Sequence, residues 1–356
     1  LELQHTSETL LVSPVPSAAE SITAAIVAAG GAISFEQYMG LALYGEGGFY
    51  QDGGKAGRRG DFITSPEVGP LFATVLARAL DAWWKEMGSP ESFTVMEVGA
   101  GPGTLARGLI AAQPECSKVW TYVAVEISEQ QRAKHPSGVI SLAEIPEGKF
   151  TGVVIANELL DNLAFDLCVF DKEWRESWIA TNGDQLVEVL QPLTEPSPFL
   201  PAFAKHGARV PVQREAQEWL KNILQKIENG RVLVFDYCTP LTAMAAAQPW
   251  REWLRTYVGH EKGQHYLQIP GHQDITTQVM IDQLAAVKTP ESVRSQSQFL
   301  QLWGIDELVT EGKAAWEAAA AAPNVAAMKM RSRISESAAL LDPSGLGAFT
   351  ALTFTP

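Results

Sequence analysis

Two acidic residues three apart, Glu158 and Asp161, stand in Ile155-Ala156-Asn157-Glu158-Leu159-Leu160-Asp161-Asn162, directly after a run apolar enough to be a buried strand. Carboxylates at such a strand end face whatever enters the sheet's C-terminal edge, and a pair of them suits a cationic group that must be oriented and relieved of a proton. For a planar guanidinium the match is specific, because a bidentate grip leaves one nitrogen free to face an electrophile. Carboxylates also favour the charged form of that cation, so their service is orientation and late proton acceptance, not prior deprotonation. The competing reading is structural: a Glu-x-x-Asp pair at a helix start is stabilised by the helix dipole and need do nothing more.

A second set of residues points to a nucleoside. Val95-Met96-Glu97-Val98-Gly99-Ala100-Gly101-Pro102-Gly103-Thr104-Leu105 reads as an apolar strand, a glycine turn and a helix start; 21 residues past Leu105 the next apolar run ends in Glu126-Ile127-Ser128. A carboxylate delivered beside a glycine turn is an acceptor for a ribose diol. The spacing is G-x-G-x-G and not G-x-G-x-x-G, so the turn differs from the one that brings amides against a pyrophosphate, which disfavours a dinucleotide oxidoreductase. S-adenosylmethionine fits better: it has no phosphate, its amino-acid end lies against the turn's backbone groups, and its ribose donates to Glu126. The cofactor contacts expected on this reading are Gly99, Ala100, Gly101, Gly103, Thr104, Leu105, Glu126, Ile127 and Asn157, with Asp61 and Thr64 at the mouth of a further helix. Methyl transfer from a sulfonium is an in-line displacement, which asks the protein for alignment, exclusion of water and a group that steers the nucleophile's proton; Glu158 and Asp161 are the catalytic candidates.

These residues need elements to hold them. Strand-like runs at 94–98, 121–125, 139–142, 152–156 and 232–235 alternate with helical stretches, which predicts an α/β fold with a mostly parallel, doubly wound sheet. The glycine turn, Glu126, Glu144, Asn157-Glu158 and Asp236-Tyr237 each follow an apolar run and so share one sheet edge. Residues 1–92 read as a helical N-terminal extension and cofactor-covering segment, with helices over 18–29 and from the Ser34 cap. The long amphipathic helix carrying Leu71, Phe72, Val75, Leu76, Leu80 and Trp83 opens at Asp61 to Glu67, capped either by Ser65 ahead of Pro66 or by Thr64 in a capping box with Glu67. Residues 93–356 read as the core. It carries an antiparallel insertion at about 164–230 that ends in a helix over 212–227, an aromatic insertion at about 238–272, an Ala-rich helical region at 306–341 broken at Pro323, and a last strand over 349–354. The loop with Lys55, Arg58 and Arg59 is not a phosphate-binding Walker loop, since Phe49 stands where its first glycine belongs and Ala56 follows Lys55.

With 356 residues, 46% of them hydrophobic, the chain is long enough to bury a full core. A formal charge of -14 disfavours nucleic acid as a partner, because phosphate neutralisation needs a basic surface. Cys116, Cys168 and Cys238 form neither a disulfide framework nor a zinc motif and point to a reducing compartment. No run approaches the ~20 apolar residues of a membrane helix, and Leu1-Glu2-Leu3-Gln4 opens no secretory signal, so the expected location is the cytoplasm. His260, His265 and His272 match no helical ligand pair, so no metal is expected; Trp250, Trp253 and Tyr257 read as packing at helical spacing, and Lys329, Arg331 and Arg333 as a solvated helix face.

Phe35 to Met39, Leu43-Tyr44-Gly45, Gly48-Phe49-Tyr50, Gly60 to Glu67, Gly99 to Leu105, Asn157 to Asp161, Asp236-Tyr237 and Gly271 to Val279, in this order, resemble the MidA-like family of S-adenosylmethionine-dependent methyltransferases. The resemblance covers roughly residues 30 to 290. It implies a class I methyltransferase fold and a cofactor site on Gly99, Gly101, Gly103, Thr104 and Glu126, with the Asp61 to Glu67 segment closing over it and the acidic loop carrying Glu158 and Asp161. The family includes the mitochondrial respiratory complex I assembly methyltransferase, so the resemblance also implies a protein substrate, with arginine of a partner protein as the acceptor. Ala164, Leu159-Leu160 and Cys238 depart from the family pattern near the substrate side. An assembly factor that keeps this fold and acts by binding, without turnover, is the alternative.

Overall fold

The computed structural model of the chain describes residues 16–51, 64–259, 261–322 and 324–356. Asp61, the loop cations Lys55, Arg58 and Arg59, His260 and the expected helix break at Pro323 lie outside the described residues.

Five runs of apolar, β-branched residues pair in parallel in the spatial order Ile140–Leu142, Trp120–Val125, Phe93–Val98, Phe150–Asn157, Ile227–Asp236. Thr350–Phe354 adds antiparallel to Ile227–Asp236, and Ser292–Ser295 closes the edge, completing seven strands. Parallel strands are covered on both faces, which is why Val153, Val154, Ile155 and Ala156 are all buried without alternation. One face packs on the helices Pro70–Glu86 and Thr104–Ala112, the other on Arg214–Lys226 and Ile281–Val287. Strand order reverses between Phe93–Val98 and Phe150–Asn157, so the loops leaving those two strands diverge and leave a crevice at their C-terminal ends.

A second hydrophobic body sits beside that edge. Asp166–Asp171, Glu173–Asn182, Gln185–Pro192 and Arg209–Val212 form the antiparallel insertion, and Ala32–Ser34 joins it by pairing with Glu173–Asn182. The N-terminal helices Ala18–Ala28 and Phe35–Tyr44, capped by Ser17 and Ser34, bury Ile22, Ile26, Phe35, Tyr38, Met39 and Leu43 in the same cluster as Phe165, Leu167 and Ile179. Each large apolar side chain so buried contributes roughly 1.5–3 kcal/mol, enough to fix the N-terminal region to the insertion. A three-stranded ribbon, Leu254–Val258 between Glu261–Lys262 and Asp274–Thr277, completes this body.

Several local expectations are corrected. The helix expected to run on from Ser65 is two helices, Ser65–Val68 and Pro70–Glu86, parted at Gly69. The reason lies far away in sequence: a Cβ at residue 69 would meet the Glu336 carboxylate at 2.3–2.7 Å, and Glu336 Oε2 accepts the Leu71 N–H at 2.8 Å, capping the second helix. Of the two caps considered for the first helix, Thr64 with Glu67 is the one formed. Trp250 to Tyr257 is not helical; a 3-10 turn over Trp250–Glu252 leads into the ribbon strand. Arg333 is not on a solvated face: only 17% exposed, it donates to the Leu308 carbonyl and pairs with Glu311, tying Val325–Leu340 to Ile305–Ala318. No helix among the described residues is long and apolar enough to cross a membrane.

Candidate functional site

The glycine turn is built for backbone exposure. Gly99, Gly101 and Gly103 all lie at positive φ (72°, 51° and 76°), where a side chain would be strained. Gly103 is the left-handed N-cap of Thr104–Ala112, and the Gly99 and Ala100 N–H groups both donate to the Val125 carbonyl, at 2.9 and 3.0 Å. The Glu126 carboxylate closes the turn from the neighbouring strand, accepting the Gly101 N–H on one oxygen and the Ser128 N–H on the other, each at 2.9 Å. An ionised carboxylate has about four lone-pair sites, so two remain for a diol. His135, which carried no motif signal, bridges the Gly101 carbonyl at 2.9 Å and the Ser141 hydroxyl at 2.8 Å.

Between this turn and the acidic loop lies a crevice of about 550 Å³. That volume is in the range of cofactor sites. Of the expected cofactor contacts, Thr64, Gly99, Ala100, Gly101, Thr104, Leu105, Glu126, Ile127 and Asn157 line it; Gly103 does not, because its place is behind the turn against His135 and Pro136. Glu67, in the segment expected to close over the cofactor, is on its wall too; sequence reasoning missed Tyr44, Tyr50, Asn162 and Trp219, and Glu97, whose carboxyl accepts the Tyr122 hydroxyl at 2.6 Å and is pushed up to about 8 by burial. Three buried polar atoms here, Ser128 Oγ, Asn157 Oδ1 and Trp219 Nε1, have no hydrogen-bond partner among the described residues. Buried groups are rarely left unpaired, so this wall is shaped for a polar occupant.

Glu158 sits at positive φ (52°), a conformation that costs a non-glycine residue about 1–3 kcal/mol and is concentrated at functional sites. Its N–H donates to the Phe235 carbonyl at 2.8 Å, locking two strand ends together, and Asn157 Nδ2 donates to its carboxylate at 3.1 Å. Glu158 and Asn162 line both the crevice and a smaller pocket of about 140 Å³. The small pocket is walled by Asp161 and Asp274, by the aromatic rings of Tyr237, Trp253 and Tyr257, and by Arg255, whose guanidinium lies 5.7 Å over the Tyr237 ring.

Asp161 lines this pocket and not the crevice. One of its oxygens accepts from Thr276 Oγ1; the other, Oδ1, is buried without a partner among the described residues. Asp236, behind it, accepts the Leu160 and Asp161 N–H groups at 3.0 and 3.2 Å, and Asp274 accepts the Tyr50 hydroxyl and Asn162 Nδ2 at 3.1 and 3.0 Å. Burial raises all four acids. Asp161 is pushed up to about 6, against the pull of its Thr276 hydrogen bond, and Asp274 to about 7, with the Asp161 charge adding to its burial. Glu158 and Asp236 are held well above the carboxylate range by burial and then by their acidic neighbours. So many carboxyls cannot all be ionised together, and the cluster holds protons that a cation would displace.

A sequence model of the family described as "Putative S-adenosyl-L-methionine-dependent methyltransferase" matches residues 75–297. The mitochondrial protein arginine methyltransferase NDUFAF7 of Mus musculus is 25% identical over 324 residues, covering 78% of this chain and 72% of that protein. The Homo sapiens protein of the same name is 26% identical over 327 residues, 78% of this chain and 71% of its own length. The Drosophila melanogaster homologue is 39% identical over a shorter stretch of 95 residues, which spans 22% of that protein. Among solved structures, a protein from Burkholderia thailandensis crystallised with S-adenosyl-homocysteine superposes with a TM-score of 0.81 at 26% identity, covering 95% of this chain and 92% of that one. The curated relatives are mitochondrial, which overturns the cytoplasmic location expected from the sequence. The three free cysteines do not tell one compartment from another.

Proposed function

Since the chain belongs to this family and is an S-adenosyl-L-methionine-dependent methyltransferase of class I fold, we propose that it methylates an arginine side chain of a partner protein, the reacting nitrogen being presented at Glu158. The observation that carries this reading is the junction: Glu158 is shared by a crevice of cofactor size and a small pocket of acids and aromatic rings. A pocket of about 140 Å³ is well below the volume of a small-molecule site and admits only the end of a side chain. Its carboxylates and aromatic rings suit a flat cation, the pocket's own Arg255 being held on the Glu252 carbonyl and over the Tyr237 ring.

The orphaned Ser128, Asn157 and Trp219 atoms and the two free acceptor sites of Glu126 fit the adenosyl cofactor. We assign Glu126 to the ribose and the Gly99 to Leu105 turn, with Thr64 and Asn157, to the remainder. When bound, S-adenosylmethionine supplies a methyl group activated by its sulfonium. The chain's own part is to hold the acceptor. Asp161 Oδ1 gains the partner it lacks, the protons of the acid cluster leave as the cation enters, and Glu158 then takes the one proton the nitrogen releases as its new N–C bond forms.

The test is transfer of labelled methyl from S-adenosylmethionine to peptides that differ only in a central Arg or Lys. Label is expected in the arginine peptide, and Glu158→Gln should lower kcat by about 100-fold or more while S-adenosylhomocysteine still binds, as loss of a proton acceptor dictates. Label in the lysine peptide alone, or an undiminished kcat in Glu158→Gln, overturns the reading.

A further inference from the structure

The stretch Gly271 to Val279 is left unused by the assignments above, although its strand Asp274–Thr277 forms one wall of the small pocket. Asp274 pairs in register with Tyr257, and the alternation of a strand brings Thr276 to the same face, where its hydroxyl holds Asp161. Asp274 is 2% exposed, and the two side chains that donate to it, Tyr50 and Asn162, come from separate segments that both line the crevice.

Resting on the arginine reading, we propose that Asp274 is the specificity residue of the acceptor pocket, its carboxylate and that of Asp161 holding the outer edge of a planar cation whose reacting nitrogen meets Glu158. An ammonium is a compact charge that one carboxylate satisfies, whereas a guanidinium spreads five N–H groups over a fork and needs acceptors on more than one side. The pocket offers that distribution: Glu158 and Asp161 from the acidic loop, Asp274 from the ribbon. The Oδ1 of Asp161, without a partner among the described residues, is a second and independent mark of a missing donor, and the Tyr257 ring lines the same pocket.

Asp274 also ties Tyr50 to Asn162, so a purely structural clamp must be separated from a charge that reads the ligand. Asp274→Asn makes the separation, because the amide oxygen still accepts both hydrogen bonds while the charge is gone. In the full chain with saturating S-adenosylmethionine, KM for the arginine peptide should rise about tenfold or more in Asp274→Asn, with kcat within about threefold and S-adenosylhomocysteine affinity unchanged, the pattern of lost ground-state binding. An unchanged KM in the folded variant overturns the proposal.

Calorimetry on the S-adenosylhomocysteine-saturated protein, with N-acetyl-arginine methylamide and its lysine counterpart as probes, needs neither turnover nor a variant for its first arm. Wild type should bind the arginine probe about tenfold tighter than the lysine probe, and Asp274→Asn should erase that preference. No preference in wild type, or the same preference in both proteins, sinks the proposal. If the arginine peptide takes no label yet the probes behave as stated, the acceptor reading fails and Asp274 keeps its role in recognising a planar cation.

Discussion

Glu126 places both carboxylate oxygens on backbone N–H groups, one of the turn and one of its own loop, so the acid is oriented before any ligand arrives. Its truncation to Ala should weaken S-adenosylhomocysteine by about 10–100-fold, the worth of one or two hydrogen bonds to a charged group. Isothermal titration measures this, and a Kd within twofold of wild type would remove Glu126 from the cofactor assignment. The residue was legible in the sequence for a local reason: a carboxylate closing an apolar run next to a glycine turn keeps its meaning without tertiary context. Glu158 was legible by the same rule, but its left-handed backbone was not, since nothing in Asn157-Glu158-Leu159 forces it. The Phe235 carbonyl that holds it belongs to a strand more than seventy residues on. Asp274 and Tyr50 stand in stretches that carry the family resemblance, but their meeting was not legible, because it spans 224 residues through a ribbon whose pairing no local pattern announces.

Among the elements, the parallel strands announce themselves as continuous apolar runs, and that pattern survives. The antiparallel insertion announces itself as alternation, and its strands form, but their burial does not alternate, since Leu167, Cys168 and Val169 are all buried and so are Glu176 and Ser177. Where period and tertiary contact conflicted, contact won. Trp250 to Tyr257 has helical spacing, yet Leu254 to Tyr257 pairs with Asp274 to Thr277 and is a strand. The helix break at Gly69 is of the same kind, imposed by a buried carboxylate from the other end of the chain. Glu336→Ala removes the cap of Pro70–Glu86 and should cost about 1–2 kcal/mol, a fall of a few degrees in Tm by calorimetry. A Tm unchanged by that substitution would show that the cap adds nothing to the helix.

At the scale of the whole molecule, the buried acids make an uncommon prediction about pH. Glu97, Asp274, Asp161 and Asp166 have carboxyls raised to about 8, 7, 6 and 6, each chiefly by burial, so the folded chain binds protons that the unfolded chain has released. Stability contributed by such groups is complete below the unfolded carboxylate range and is lost as pH climbs through the folded values. Tm should therefore fall steadily between pH 5 and 8, in the direction that the growing repulsion of a chain with formal charge -14 also takes. A Tm that rises over that interval at constant ionic strength would contradict the burial of these acids.

The small pocket lies at a seam. The strands that carry the glycine turn and Glu126 belong to the central sheet, while the ribbon wall with Asp274 belongs to the second hydrophobic body. The two walls of the pocket therefore come from different bodies, Glu158 and Asp161 from the loop after a central-sheet strand and Asp274 from the ribbon. If Asp274 reads the acceptor as proposed, exchanging the ribbon alone would change the choice of recipient and leave the nucleoside grip of the central sheet in place.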